Sequence, residues 1–98
     1  RRRMADDKID ELREKIDRIN QRLLSLIADR QDVSVAIGAL KVADGLPLYS
    51  EEREAELLET FRSDASRLDL DPDYVEELMQ VVLKHSRAAR RRKVGHGS

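Results

Sequence analysis

The feature of this sequence that most limits its fold is an apolar pattern in the first half of the chain. Apolar residues recur at alternating steps of three and four, and the pattern has no slip if the arginine at position 30 is counted. Its members are Ile9, Leu12, Ile16, Ile19, Leu23, Leu26, Arg30, Val33, Ile37 and Leu40. Such spacing places about one residue per turn on the same face of an α-helix. The sequence therefore predicts one uninterrupted helix from about Asp6 to about Val42.

A helix of that length does not fit inside a small monomer. It would be roughly 55 Å long at 1.5 Å per residue, whereas a compact chain of 98 residues has a radius of gyration of about 13 Å. The helix must project beyond its own fold, and its apolar seam must be covered there. A second copy of the same helix is the simplest cover, so the sequence predicts a homodimer with intertwined long helices.

Two shorter helices are predicted to follow the first. The segment 43–47 contains a glycine and a proline, which together end a helix. Ser50 is a suitable N-cap for a second helix that runs to about Arg67. Asp71, followed by a proline, begins a third helix that runs toward Arg92. The expected fold is all-α, with three helices per chain and a six-helix bundle in the dimer.

The composition agrees with an all-α fold. Aromatic residues make up 3% of the chain and charged residues 40%, which suits amphipathic helices and does not suit a β-sheet. The chain has no cysteine, so neither a disulfide framework nor a thiolate metal site is expected. It shows no signal-peptide pattern and no apolar stretch near the roughly 20 residues of a bilayer span. We expect a cytoplasmic helical domain over residues 6–92, with flexible ends at 1–5 and 94–98 and no membrane partner.

Positive charge is concentrated at the end of the chain. No acidic residue follows Glu77, whereas six basic residues do: Lys84, Arg87, Arg90, Arg91, Arg92 and Lys93. A solvated helix end, whose cations complement the helix dipole, is one interpretation, and nucleic-acid binding is the other. The shortage of aromatic residues for base stacking and the lack of a reading motif argue against nucleic acid.

Arg30 occupies a core position of the first helix and suggests a site for an anion. Burying an unpaired guanidinium costs several kcal/mol, so either a protein carboxylate or an anionic ligand must meet it. Lys41 lies eleven residues further on, close to three helical turns, so the two cations share a face about 16 Å apart. The gap between two such long side chains is suited to a small anionic molecule.

Arg13 gains a role only if a second chain is present. It lies 17 residues before Arg30, some 25 Å along the same helix, and cannot reach the gap in its own chain. If two antiparallel copies cross near position 24, Arg13 of one falls opposite position 35 of the other, between Arg30 and Lys41. Symmetry then predicts two sites shared between the subunits. Without the dimer, Arg13 would be interpreted as an ordinary surface residue.

The second and third helices also carry polar residues in inward positions. Arg53 and Glu54 stand at the start of the apolar stripe of the second helix. Ser86 and Arg90 stand on the apolar face of the third. Each alone is more typical of a salt bridge or of a tolerated small polar residue. Together with the cations of the first helix, they predict one interior cavity with polar groups from all three helices.

The chain from about Ile9 to about Ala89 resembles the all-helical chorismate mutases, the AroQ class. The matching pieces are LREKID at 12–17, LLSLIADR at 23–30, IGALK at 37–41 and ERE at 52–54. Their order and spacing carry the resemblance, because no single piece is specific. The family fold is a dimer of three-helix chains with interlocked long helices.

The resemblance implies an isomerase that converts chorismate to prephenate by a pericyclic rearrangement, at the branch toward phenylalanine and tyrosine. It implies no covalent catalysis and no cofactor. By the same resemblance, Arg30 and the second chain's Arg13 bind the two carboxylates of the substrate. Lys41 donates to the ether oxygen of the breaking bond, and Glu54 holds the ring hydroxyl.

Four further positions follow from the resemblance. Arg53 and Ser86 are expected to support the ring and the side-chain carboxylate. Ser50 stands where many members have an aspartate beside the ring hydroxyl, and Arg90 stands where they have glutamine or glutamate as a second donor to the ether oxygen. Either Arg90 donates in their place, or the last turns of the third helix leave the site incomplete until a partner orders them. Some actinobacterial relatives are activated by the first enzyme of the shikimate pathway, so such a complex is one expectation.

Three alternatives remain open at this point. Relatives with the same fold and charge pattern act on 4-amino-4-deoxychorismate, and others eliminate pyruvate from isochorismate. The third alternative is a non-catalytic helical dimerisation module, in which the interior charges only fix register and partner choice.

Overall fold

A computed structural model describes residues 3–95 and contains three α-helices: α1 (Met4–Ala43), α2 (Glu51–Arg67) and α3 (Pro72–Val94). No strand occurs over this range. The predicted all-α chain with a very long first helix is confirmed. Of the ends predicted to be flexible, residues 1–2 and 96–98 lie outside the described residues. Helix α1 begins two residues before its predicted start, and α3 ends two residues after its predicted end.

Local sequence signals determine where the helices begin and end. The hydroxyl of Ser50, in an extended conformation, accepts a hydrogen bond from the Arg53 N–H at 3.1 Å and caps α2. The carboxylate of Asp71 accepts one from the Asp73 N–H at 3.0 Å and caps α3. Gly45 has a φ of 71°, the left-handed conformation that follows α1. The predicted N-caps are therefore confirmed.

The chain divides into two units, Arg1–Asp32 and Val33–Ser98, and α1 contributes to both. Within the first unit the large apolar side chains of α1 are exposed: Ile9, Leu12, Ile16, Ile19, Leu23, Leu24, Leu26 and Ile27. A continuous apolar stripe of this kind on a protein surface marks an interaction site more often than chance exposure does. No helix among the described residues is long and apolar enough to cross a membrane.

The second unit contains a small core, to which α2, α3 and the loop before α2 contribute. Its buried apolar residues are Leu48, Ala65, Leu83 and Ala89. At the edge of this core Arg62 of α2 pairs with two acids of α3, Asp73 at 2.9 Å and Glu76 at 3.5 Å. This packing fixes which residues of α2 and α3 face each other, and so determines the neighbours of the predicted site residues.

The last turns of α1 pack closely against the rest of the second unit at Gly38. Gly38 is buried, and a Cβ atom placed there would lie 3.2 Å from Arg90 Cδ, 3.3 Å from Leu48 Cδ2 and 3.3 Å from Val94 Cγ2. The half-buried residues on the same turns are Ser34, Val35, Lys41 and Val42, and the exposed ones include Val33, Ile37 and Leu40. The predicted apolar seam is therefore not the face that packs inside this unit.

Candidate active site

A partly buried ion pair between Glu54 and Arg87 joins α2 and α3. Oε1 of Glu54 accepts a hydrogen bond from Arg87 Nη1, and the two side chains are 18% and 29% exposed. Glu54 lies in the first turn of α2, where its carboxylate also complements the positive end of the helix dipole. The inward position expected for Glu54 is confirmed, while its predicted role toward a ligand is not tested by this contact.

Arg87 has a second neighbour in the loop before α2. Its guanidinium carbon lies 5.4 Å from the centre of the Tyr49 ring, within the range of a cation–π contact. Tyr49 immediately precedes Ser50, the N-cap of α2. Arg87 therefore contacts the loop that leads into α2 as well as the first turn of α2. These contacts restrict the guanidinium and, through it, the Glu54 carboxylate.

Arg90 points toward α1, whereas the basic residues that follow it, Arg91, Arg92 and Lys93, are exposed. Arg90 is half-buried, and its Nη1 donates a 2.7 Å hydrogen bond to Ser34 Oγ. Ser34 stands seven residues before Lys41, which is two helical turns or about 10 Å along the same face of α1. The guanidinium of Arg90 therefore reaches the row of α1 residues that carries Lys41.

Three other predicted residues of this unit have different surroundings. Ser86 is 6% exposed, so its expected inward position on α3 is confirmed. The Ser50 hydroxyl is engaged as the N-cap acceptor, which still leaves it a proton to donate. Arg53 departs from its expected inward position: its side chain is 63% exposed and lies 3.6 Å from the Glu56 carboxylate.

The two remaining predicted residues, Arg13 and Arg30, belong to the first unit. Arg13 is exposed. Arg30 is half-buried, whereas every residue from 11 to 29 is exposed. Its core position in the apolar pattern is thus accompanied by partial burial, but its role toward a ligand stays a prediction.

Sequence reasoning missed three neighbours of the predicted residues. The sequence places Arg87 with the basic residues at the end of the chain, because nothing local indicates that it faces Glu54, 33 residues earlier. Tyr49 lies in a loop, where no periodicity exists to interpret. Ser34 did carry a signal, since it stands on the same face of the first helix as Lys41.

The geometry gives an all-helical protein whose candidate site is rich in cations and holds one inward carboxylate. The half-buried Lys41 and Arg90 supply donors in the second unit, and the Glu54 carboxylate lies in the first turn of α2. Cationic donors of this kind suit a small anionic molecule, and a carboxylate acceptor suits a hydroxyl group on it.

The chain belongs to the chorismate mutase type II family, whose family model matches residues 12–91. It is 37% identical over 75 residues to a T-protein of Enterobacter agglomerans. The matched segment covers 76% of this chain and 20% of that protein. It is 33% identical over 75 residues to a bifunctional chorismate mutase/prephenate dehydratase of Escherichia coli, covering 76% of this chain and 19% of the relative. The chain thus spans about a fifth of the length of these relatives.

A third relative is of similar size to this chain. The chorismate mutase of Methanocaldococcus jannaschii is 28% identical over 82 residues, which cover 84% of this chain and 83% of that protein. A protein of little more than this length therefore carries the name chorismate mutase without a fused second domain of the size found in the bifunctional relatives.

Proposed function

We propose that this chain is a chorismate mutase that converts chorismate to prephenate in the biosynthesis of phenylalanine and tyrosine. The observation that carries the proposal is the family match over residues 12–91, which includes every charged residue assigned to the candidate site. The relative of similar length from Methanocaldococcus jannaschii supports an activity that needs no further domain.

The reaction is an intramolecular rearrangement, so the protein must select one conformation of a flexible dianion. Arg30 and Arg13 from a second copy bind the two carboxylates, and guanidinium groups suit that task because they donate in pairs. Holding both ends brings the two reacting carbons together and removes much of the entropic part of the barrier. No cofactor enters this proposal.

Lys41 and Arg90 meet the charge that develops during bond breaking. As the carbon–oxygen bond lengthens, negative charge grows on the ether oxygen, and a fixed cation there stabilises the transition state more than the ground state. The half-buried position of Lys41 and the inward direction of Arg90 support these roles. Both residues belong to helices, so their backbone positions are set before the reaction.

The remaining residues hold the ring. Glu54 accepts a hydrogen bond from the ring hydroxyl, and Ser86 supports the side-chain carboxylate of the substrate. Ser50 lies beside the ring hydroxyl, where many family members have an aspartate. Arg53 supports the ring, although its exposed position in the single chain requires that its side chain turn inward when substrate or a second copy is present. These assignments rest on the family resemblance and on the inward positions of Glu54 and Ser86.

The active unit in this proposal is a homodimer. The exposed apolar seam of α1 supports it, because those side chains gain burial only against another surface of matching pattern. In this dimer Arg13, which is exposed in the single chain, joins the cations of the other subunit. A complex with the first enzyme of the shikimate pathway, and a cytoplasmic location, remain predictions from the sequence.

A direct assay tests the proposed activity. Incubation with chorismate should remove the absorbance of its diene, with prephenate as the product on chromatography. Parallel incubations with 4-amino-4-deoxychorismate and with isochorismate separate the alternatives, since the latter would release pyruvate. Absence of turnover on all three compounds, with dimeric and folded protein, would favour the non-catalytic dimerisation module instead.

A further inference from the structure

Arg87 has no part in the proposed reaction, yet it makes the closest polar contact to one of the proposed site residues. It is 29% exposed, lies on α3 one residue after Ser86, and donates to Glu54 from a different helix. Its position over the Tyr49 ring adds a second restraint on the guanidinium. A surface cation of a basic tail would show neither contact.

The pair leaves part of the Glu54 carboxylate able to accept another hydrogen bond. Only Oε1 is bonded to Arg87. Within residues 3–95, no hydrogen-bond donor is assigned to Oε2. An ionised carboxylate has about four acceptor positions, so a ligand hydroxyl can be accepted at Oε2 while Arg87 stays in place.

We propose that Arg87 is a positioning residue that makes the site select a ring with a neutral hydroxyl over the same ring with an ammonium group. The inference rests on the proposed function, because it assumes that Glu54 meets the ring substituent. Arg87 fixes the carboxylate, and at the same time it cancels most of the negative charge that would attract a cation.

The selectivity follows from the charges of the two substituents. A hydroxyl group is neutral and can donate a hydrogen bond to the Glu54 carboxylate. The positive charge of Arg87 therefore weakens its binding only slightly. An ammonium group on the ring, as in 4-amino-4-deoxychorismate, meets the positive charge of Arg87 at short range in a partly desolvated site. Without Arg87, the bare Glu54 carboxylate would instead attract that ammonium.

A purely structural ion pair between α2 and α3 predicts a different result. Loss of such a brace would weaken the binding of both compounds alike, and their ratio would stay unchanged. Arg62 provides the matched control, because it also joins α2 to α3 through carboxylates, Asp73 and Glu76. Arg62 has no assigned part in the candidate site.

The test is the ratio of the dissociation constants of 4-amino-4-deoxychorismate and chorismate, measured by calorimetry together with turnover of chorismate. In Arg87→Gln this ratio should fall by about tenfold or more relative to the parent, which corresponds to about 1.4 kcal/mol. Arg87→Lys keeps the positive charge and should retain most of the preference. Arg62→Gln should leave the ratio at the parent value.

The outcomes separate this inference from the proposed function. If the parent converts chorismate and the ratio in Arg87→Gln equals that of the parent, the inference alone is overturned. If the parent binds neither compound, the inference and the proposed function fail together. If circular dichroism shows Arg87→Gln to be unfolded, Glu54→Gln is measured in its place. This variant leaves the charge of Arg87 uncompensated, so the ratio of the two dissociation constants should rise. A fall in the ratio would overturn the inference.

Discussion

The cations of the candidate site differ in their surroundings, and those surroundings determine what each side chain can do. Lys41 is half-buried in the last turn of α1, where its charge also complements the negative end of the helix dipole. Arg90 is held by Ser34 and by the packing around Gly38. Arg13 is exposed in the single chain. Position in the fold therefore matters more than charge alone.

Lys41→Ala should mainly affect turnover. In the proposed reaction the ether oxygen becomes negative only as the bond breaks, so the lysine acts on the transition state. Loss of one preorganised donor of this kind lowers kcat by about 10² or more. Steady-state kinetics on chorismate measure the effect, with the exposed Lys84→Ala as control. A higher KM with unchanged kcat would assign Lys41 to ground-state binding instead.

Arg90→Ala should lower kcat nearly as much as Lys41→Ala if its guanidinium reaches the ether oxygen. Arg90→Gln should retain much of the activity, because an amide can still donate a hydrogen bond. Arg91→Ala is the control, since Arg91 is the next residue of α3 and is exposed. Near-identical kinetics for Arg90→Ala and the parent would remove Arg90 from the site and leave its bond to Ser34 as a structural contact.

Among the helices, α1 has two faces with separate tasks in the second unit. Ser34, Gly38 and Val42 lie on the side that packs, whereas Val33 and Leu40 stay exposed. Glycine allows the close approach because it has no Cβ atom, at a cost of about 1 kcal/mol in helix propensity relative to alanine. The helix is thus built to contact its own chain on one side and to present an apolar seam on the other.

Gly38→Leu should destabilise the protein because its Cβ alone already lies 3.2 Å from Arg90 Cδ and 3.3 Å from Leu48 and Val94. Overpacking of this kind costs about 1–3 kcal/mol, which exceeds the gain in helix propensity. Urea unfolding measures the loss. Ala39→Leu, one residue away and exposed, should change stability by no more than about 0.5 kcal/mol. Equal stability of the two variants would contradict the close packing at Gly38.

For the molecule as a whole, the proposed homodimer gives one account of the exposed seam of α1 and the exposed Arg13. In that dimer the second copy would cover the seam, and Arg13 would enter the site of the other chain. If the dimer is required for folding, the thermal midpoint of unfolding should rise with protein concentration.

A mixture of Arg13→Ala and Arg30→Ala chains should recover activity that neither variant has alone. Each mixed dimer holds one site with both substitutions and one site with neither, because the two arginines of a site come from different chains. At equal amounts and random pairing, about a quarter of the parent's sites are intact. Activity is measured after unfolding and refolding the chains together. Mixed dimers detected by mass spectrometry without recovered activity would show that the sites are not shared.

The sequence by itself determined the helices and their ends, because the signals are local. The spacing from Ile9 to Leu40 predicts α1, and Ser50 and Asp71 cap their helices through N–H groups only two or three residues away. The resemblance also predicted which side chains to examine. None of this required knowing how the helices pack.

Only the tertiary structure decided which polar groups meet. Glu54 and Arg87 are 33 residues apart, and Ser34 and Arg90 are 56 apart, so their contacts depend on the rotation of one helix against another. Successive residues of a helix are rotated by about 100° about its axis. Arg90 is therefore half-buried and its neighbour Arg91 exposed, although the two side chains are chemically identical. Periodicity shows that a helix has an apolar face, but the packing of the helices decides which face is buried and what it contacts.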